Sequence, residues 1–133
     1  MKTWAKVSDV MDHMVPTLVP HANILEAADF LLEQKVTGAP VVDETRKVIG
    51  ILTEFDCLRL LTEGGADGDE ATGTVADYMS REVTTVPPHM DIYYAAGIFL
   101  GNRFRRLPVV ENGRLVGAIT RFDILRAVQK ALR

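Results

Sequence analysis

The chain has one cysteine, one tryptophan, 7% aromatic residues and no strong excess of either charge. A lone Cys57 excludes an internal disulfide framework, and no Cys/His spacing suggests a zinc site. No apolar run reaches the roughly 18 residues that a membrane span needs, the nearest being the broken stretch Ile92 to Gly101. Met1-Lys2-Thr3-Trp4-Ala5-Lys6 meets charge and polarity before an apolar segment forms, so a secretory signal is not expected and a cytoplasmic location is. Fifteen basic against eighteen acidic residues give a formal charge of −3, which disfavours broad binding to a nucleic-acid backbone. Any anion site must be local. What is present is an ordinary globular composition: 133 residues, 47% hydrophobic and 25% charged, enough for one domain or for two very small ones sharing a core.

The sequence repeats itself. Val7-Ser8-Asp9-Val10-Met11 returns as Val75-Ala76-Asp77-Tyr78-Met79, and Pro20-His21, Ala27-Ala28 and Pro40-Val41-Val42 return in the same register as Pro88-His89, Ala95-Ala96 and Pro108-Val109-Val110. After the loss of one residue in a turn, Gly50-Ile51-Leu52-Thr53-Glu54-Phe55-Asp56 matches Gly117-Ala118-Ile119-Thr120-Arg121-Phe122-Asp123. Leu58-Arg59 likewise matches Leu125-Arg126. The boundaries are repeat 1 over 1–61 with its N-terminal segment, a Gly- and acid-rich linker over 62–73 read as flexible, and repeat 2 over 74–133. Either unit alone would bury little surface, so the two are expected to pack as one pseudo-symmetric domain.

Each half reads as β-α-β-β-α. A short segment ends at Thr17-Leu18-Val19; Asn23 caps a helix with Glu26 at its third position, and Ile24, Ala27, Ala28, Leu31 and Leu32 form an apolar stripe. Ala39–Val42 and Val48–Leu52 are β-rich runs that pair antiparallel, and in the second copy Asn112-Gly113 is a strong hairpin signal. A second helix follows from Glu54 and from Arg121. The class is α+β.

Two in-register copies of Gly-apolar-apolar-Thr-x-x-Asp, each about a dozen residues after Pro-Val-Val, resemble the CBS-domain family in its tandem form, the Bateman module. The resemblance covers nearly the whole chain outside residues 1–6 and the linker. It implies two CBS repeats packed with pseudo-two-fold symmetry. The motif itself has two compatible readings. Thr53 and Thr120 are N-caps to which Asp56 and Asp123 return a bond. The same helix starts also suit a phosphate or ribose, with the carboxylate accepting from vicinal hydroxyls.

The resemblance further implies two clefts that bind an adenosine-containing nucleotide, AMP, ADP or ATP, with Mg²⁺ as an optional companion and no other cofactor. One cleft would combine Thr17 and Val36-Thr37-Gly38-Ala39-Pro40 with Thr120 and Asp123. The other would combine Thr85 and Phe104-Arg105-Arg106-Leu107-Pro108 with Thr53 and Asp56. Basic residues are concentrated in Asn102-Arg103-Phe104-Arg105-Arg106, against the single Lys35 at the corresponding place in repeat 1. This position is similar to the His-Arg-Leu-Pro-like segment that holds nucleotide phosphates in some family members, with Arg105 replacing the His. Arg105 and Arg106 are therefore the phosphate candidates for both clefts. A solvated strand edge, or pairing with Asp67, Asp69 and Glu70, is the alternative for this cluster.

No nucleophile, base and orienting group recur together, so catalysis is not expected. His21 and His89 recur after Pro and read as exposed polar residues, so no metal site is expected. Met11, Met14, Met79 and Met90 read as packing. The resemblance also implies a homodimer, for which Ile124, Leu125, Val128, Ile92, Ala95, Ala96 and Phe99 are the candidate faces, burial inside the monomer being the alternative. A chain filled by two repeats would act on a separate effector protein. The competing readings are a ligand-free interaction module, a sensor of S-adenosylmethionine or NADH, and, least favoured by charge, a nucleic-acid binder.

Overall fold

A computed structural model describes residues 3–62 and 73–133. Most of the linker, 63–72, lies outside the described residues. In chain order the elements are α1 (Val7–Val10), α2 (Ile24–Gln34), β1 (Gly38–Val42), β2 (Val48–Thr53) and α3 (Glu54–Cys57), which continues into a 3₁₀ turn over Leu58–Leu61. Then follow α4 (Val75–Tyr78), α5 (Ile92–Gly101), β3 (Arg106–Glu111), β4 (Arg114–Thr120) and α6 (Arg121–Ala131). Two repeats of mixed helix and strand are present, as the sequence repeat requires. None of the described helices is long and apolar enough to cross a membrane.

The chain divides into two compact units, Pro16–Val83 and Met1–Val15 with Thr84–Arg133. The lead-in of each repeat thus packs on the body of the other repeat. In the continuous unit, β1 and β2 form an antiparallel hairpin with Ala39 opposite Leu52 and Pro40 opposite Ile51. Leu18 adds a parallel bridge along β1, donating to the Pro40 carbonyl at 3.0 Å and accepting from the Val42 amide at 2.9 Å. This one-residue bridge is the expected first strand. On the other edge Ser80 pairs with Ile51 through two backbone bonds of 2.9 Å. The core joins Leu18, Ile24, Ala27, Leu31, Val41 and Leu52 to Val75, Tyr78 and Met79 of the second lead-in.

The discontinuous unit repeats the arrangement. β3 pairs with β4, Val86 bridges β3 in parallel, and Asp12 bridges Ala118 through backbone bonds of 2.9 and 3.0 Å. Val7 is fully buried among Val86, Ala95, Phe99, Leu107, Val109, Ile119 and Ile124. Glycine is needed where each lead-in crosses a hairpin. A Cβ on Gly117 would lie 2.6 Å from Met11 Sδ and 2.8 Å from the Asp12 carbonyl oxygen, and one on Gly50 would lie 2.5 Å from Met79 Sδ.

Local chemistry explains the element ends. Asn23 Oδ1 accepts from the Leu25 and Glu26 amides, capping α2 as expected. Leu32, placed on the apolar stripe by periodicity, is instead 77% exposed, since α2 meets the core through Ile24, Ala27 and Leu31, with Phe30 packed beside them. Asn112 and Gly113 take φ of 53° and 81°, the left-handed pair that a tight hairpin turn requires. In the first hairpin Asp43 Oδ1 gathers the Thr45 amide, the Thr45 hydroxyl and the Lys47 amide. The Thr45 hydroxyl, followed by the Lys47 amide, holds this carboxyl below its ordinary pKa.

Candidate functional site

Both Thr-x-x-Asp motifs form closed capping boxes at the end of a hairpin. The Thr53 amide and hydroxyl reach Asp56 Oδ2 at 2.9 and 3.1 Å, and the Asp56 amide reaches Thr53 Oγ1 at 3.3 Å. In the other unit the Thr120 amide donates to Asp123 Oδ2 at 2.8 Å and the Asp123 amide donates to Thr120 Oγ1 at 3.2 Å. The capping reading is therefore correct for both. Each box occupies one carboxylate oxygen and leaves the second for another partner.

That second oxygen differs between the copies. Asp56 is half-buried, and its Oδ1 has no hydrogen-bond partner among the described residues. Asp123 is buried, with only 8% of its surface exposed, and Arg126, one turn on, forms an ion pair with its Oδ1. Arg59 stands at the equivalent place after Asp56 but turns elsewhere. It donates to the Tyr78 carbonyl at 2.7 Å and lies 4.9 Å from the centroid of the Tyr78 ring. Burial, followed by the charges of Asp56 and Glu54, pushes the neighbouring Cys57 thiol above its ordinary pKa.

The segment preceding each proline joins the same hairpin end as the motif of its own unit. Gly38 pairs with Thr53, and the Glu54 amide donates to the Thr37 carbonyl at 2.8 Å. Thr37, Gly38, Thr53 and Asp56 are thereby brought together, with Val36 half-buried beside the core and Pro40 buried in β1. Thr17 is half-buried next to the Leu18 bridge. In the discontinuous unit Arg106 pairs with Thr120, which gathers Arg105, Arg106, Thr120 and Asp123; Phe104 packs on the core, Pro108 is buried in β3 and Thr85 is exposed. Thr120 and Asp123 belong to a different unit from Thr17 and Val36–Pro40, and Thr53 and Asp56 to a different unit from Thr85 and Phe104–Pro108.

Arg105 is exposed, whereas Arg106 is half-buried and its guanidinium lies 3.5 Å from Asp12 Oδ2. Its Nε is buried without a hydrogen bond among the described residues. The partner of Arg106 is thus the first lead-in; Asp67, Asp69 and Glu70, the partners considered from sequence, lie outside the described residues. Sequence reasoning missed Asp12 and Arg126. Arg126 was findable, three residues after Asp123 on a helix.

Other expectations sort cleanly. His21 and His89 are exposed, and Met11, Met79 and Met90 pack against the cores. Met14 does not, being 84% exposed. Ala95, Phe99 and Ile124, offered as subunit faces, are buried in the core of their own unit, Ala96 and Val128 are packed against the same core, and Ile92 is buried as well. Of the faces offered, Leu125 does point outward, and it is joined among the exposed apolar side chains by Tyr93, Tyr94, Leu100 and Phe122 in the same unit, with Phe55, Leu58 and Leu61 exposed in the other.

The CBS domain family model matches residues 7–63 and 75–130. The chain is a pair of CBS domains. Among curated relatives, MJ1225 of Methanocaldococcus jannaschii is 37% identical over 120 residues, 90% of this chain and 41% of that protein. YhcV of Bacillus subtilis, a CBS domain-containing protein, is 32% identical over 90% of this chain and 83% of its own. The chain spans well under half the length of MJ1225 and 73% of a 17.7 kDa relative from Acidianus ambivalens. Among solved structures, CBSX2 in complex with AMP matches with a TM-score of 0.82 and 30% identity, covering 96% of this chain and 98% of that one. The CBS domain pair of MJ0100, in complex with 5′-methylthioadenosine and S-adenosyl-L-methionine, matches with a TM-score of 0.79 and 26% identity, covering 96% and 98%.

Proposed function

We propose that this CBS pair is a non-catalytic regulatory module that binds an adenosine-containing ligand through the carboxylates of Asp56 and Asp123. The observation that carries the reading is the capping geometry: each box fixes its aspartate by one oxygen and aims the other away from the cap, where a ribose diol can donate to it. The AMP complex of CBSX2 and the adenosyl complexes of MJ0100, both aligned over nearly the whole chain, support the ligand class. AMP, ADP and ATP, with or without Mg²⁺, are the proposed ligands, and S-adenosylmethionine is the second candidate because of the MJ0100 complex. As the family resemblance implies, Thr17 and Val36–Pro40 read the base for Asp123, and Thr85 and Phe104–Pro108 read it for Asp56. Arg105 and Arg106 meet phosphate there. A homodimer acting on a separate effector, in the cytoplasm, completes the proposal.

A thermal-shift screen of AMP, ADP, ATP, S-adenosylmethionine and NADH, with and without Mg²⁺, tests it. Ligand at a hundred times Kd adds about 2.7 kcal/mol to the stability of the folded state. The expected result is a saturable rise in Tm with at least one adenosine compound, abolished in the double variant Asp56→Asn/Asp123→Asn. A flat response to every compound would instead favour a ligand-free interaction module.

A further inference from the structure

A cavity of about 430 Å³ opens along α6, within the discontinuous unit. Its wall is the face of α6 carrying Asp123, Arg126, Ala127, Lys130 and Ala131, opposed by Ala5 and α1. The volume lies within the range of small-molecule sites. Three alanines keep the wall low, while one buried carboxylate and two cations supply the polar groups. Asp9, the second acid on the wall, is occupied in capping: its Oδ2 accepts the Lys6 amide at 2.9 Å. Lys130 has no acidic partner among the described residues.

We propose that this cavity is an anion subsite in which Arg126 and Lys130 take the phosphate of a ligand whose ribose diol is held by Asp123. The inference rests on the adenosine reading above and goes beyond it by placing the phosphate on α6 rather than on Arg105 and Arg106 for this carboxylate. Helix geometry fits the task. Arg126 and Lys130 follow Asp123 at about one and two turns, each about 5.4 Å along the axis, and a 5′-phosphate stands about one turn from the diol. The groups also exchange partners consistently. A diol donating to Asp123 Oδ1 displaces Arg126, and the released guanidinium meets the incoming phosphate, so one charged pair replaces another. Adenosine without phosphate must displace Arg126 with no such replacement. Arg126 is therefore a selectivity residue for phosphorylated ligands. Repeat 1 lacks the device, since Arg59 is committed to Tyr78 and Glu63 stands where Lys130 would be.

Calorimetric titration of the full chain with adenosine, AMP, ADP, ATP and inorganic pyrophosphate tests the assignment in wild type, Arg126→Gln, Lys130→Gln and Arg106→Gln. The wild type is expected to prefer the phosphorylated ligands over adenosine. Lys130→Gln should weaken AMP, ADP and ATP about five- to tenfold and leave adenosine unchanged, the size expected for one charged contact at a partly exposed site. Arg126→Gln should weaken the same ligands yet tighten adenosine a few-fold, a crossing that loss of structure would not produce. An unchanged ratio of adenosine to AMP affinity in both α6 variants overturns the subsite, as does a ratio that collapses only in Arg106→Gln. Should no nucleoside bind the wild type, the adenosine reading falls and pyrophosphate decides the rest. Pyrophosphate binding lost in Lys130→Gln upholds the anion subsite, and no pyrophosphate binding removes it as well.

Discussion

At the residue scale the sharpest constraint falls on two glycines. Gly50 and Gly117 occupy corresponding positions in the two hairpins, and each is crossed by a methionine from a lead-in, Met79 or Met11. The neighbour at Gly117 includes the Asp12 carbonyl oxygen, which is itself pinned by the backbone pair with Ala118 and cannot retreat. Gly117→Ala is therefore expected to lose about 1–3 kcal/mol, the usual penalty for overpacking, read as a lower Tm and a lower denaturant midpoint. A Tm equal to wild type would show that the lead-in yields there. The same pair of glycines explains how much the sequence disclosed. Their recurrence made the repeat visible, and Thr53 with Asp56 and Thr120 with Asp123 announced their capping boxes by spacing alone. What covers the glycines was not readable, because Val7-Ser8-Asp9-Val10-Met11 and Val75-Ala76-Asp77-Tyr78-Met79 carry the same pattern and either would fit either hairpin. Asp12 stayed unnoticed as the partner of Arg106 for this reason.

At the scale of elements, the two repeats part company after their shared Thr-x-x-Asp. α6 runs for 11 residues, whereas α3 has 4 and passes into the 3₁₀ turn at Leu58. Two differences in sequence and contact accompany this. Thr62-Glu63-Gly64-Gly65 offers two adjacent glycines where repeat 2 offers Gln129-Lys130-Ala131-Leu132, and glycine is disfavoured against alanine by roughly 1 kcal/mol per helical position. Arg59 turns to the carbonyl and ring of Tyr78, tying the 3₁₀ turn to the end of α4. Helical periodicity did not anticipate that a side chain would be drawn off to a segment 19 residues later. Arg59→Met, which keeps the length of the side chain without its donors, should cost about 1.5–3 kcal/mol, the range for a hydrogen bond to a charged group. Hydrogen exchange should then quicken across Val75–Met79 and stay at wild-type rates along α6; uniform quickening in both would refute a local role.

On the scale of the whole molecule, the repeats visible in sequence and the compact units in space are cut at different places. The unit Pro16–Val83 is one uninterrupted stretch, while its counterpart is assembled from Met1–Val15 and Thr84–Arg133. A fragment spanning 16–83 keeps Val75, Tyr78 and Met79 in its core, whereas one ending at residue 61 loses all three. The longer fragment is accordingly expected to unfold cooperatively on heating, and 1–61 to show no transition; two equivalent melts would contradict the exchange of lead-ins. The same arrangement carries a consequence for synthesis. On the ribosome, where chains are made at about 5–20 residues per second, the unit Pro16–Val83 is expected to complete its own fold once residue 83 is available. Val7, made before that unit, must wait for Val86, Phe99, Leu107 and Ile124 before its side chain leaves water. The lead-in around Val7 is thus translated before the unit Pro16–Val83 but sheltered after it, and it is there, on the nascent chain, that chaperone binding has a long opportunity.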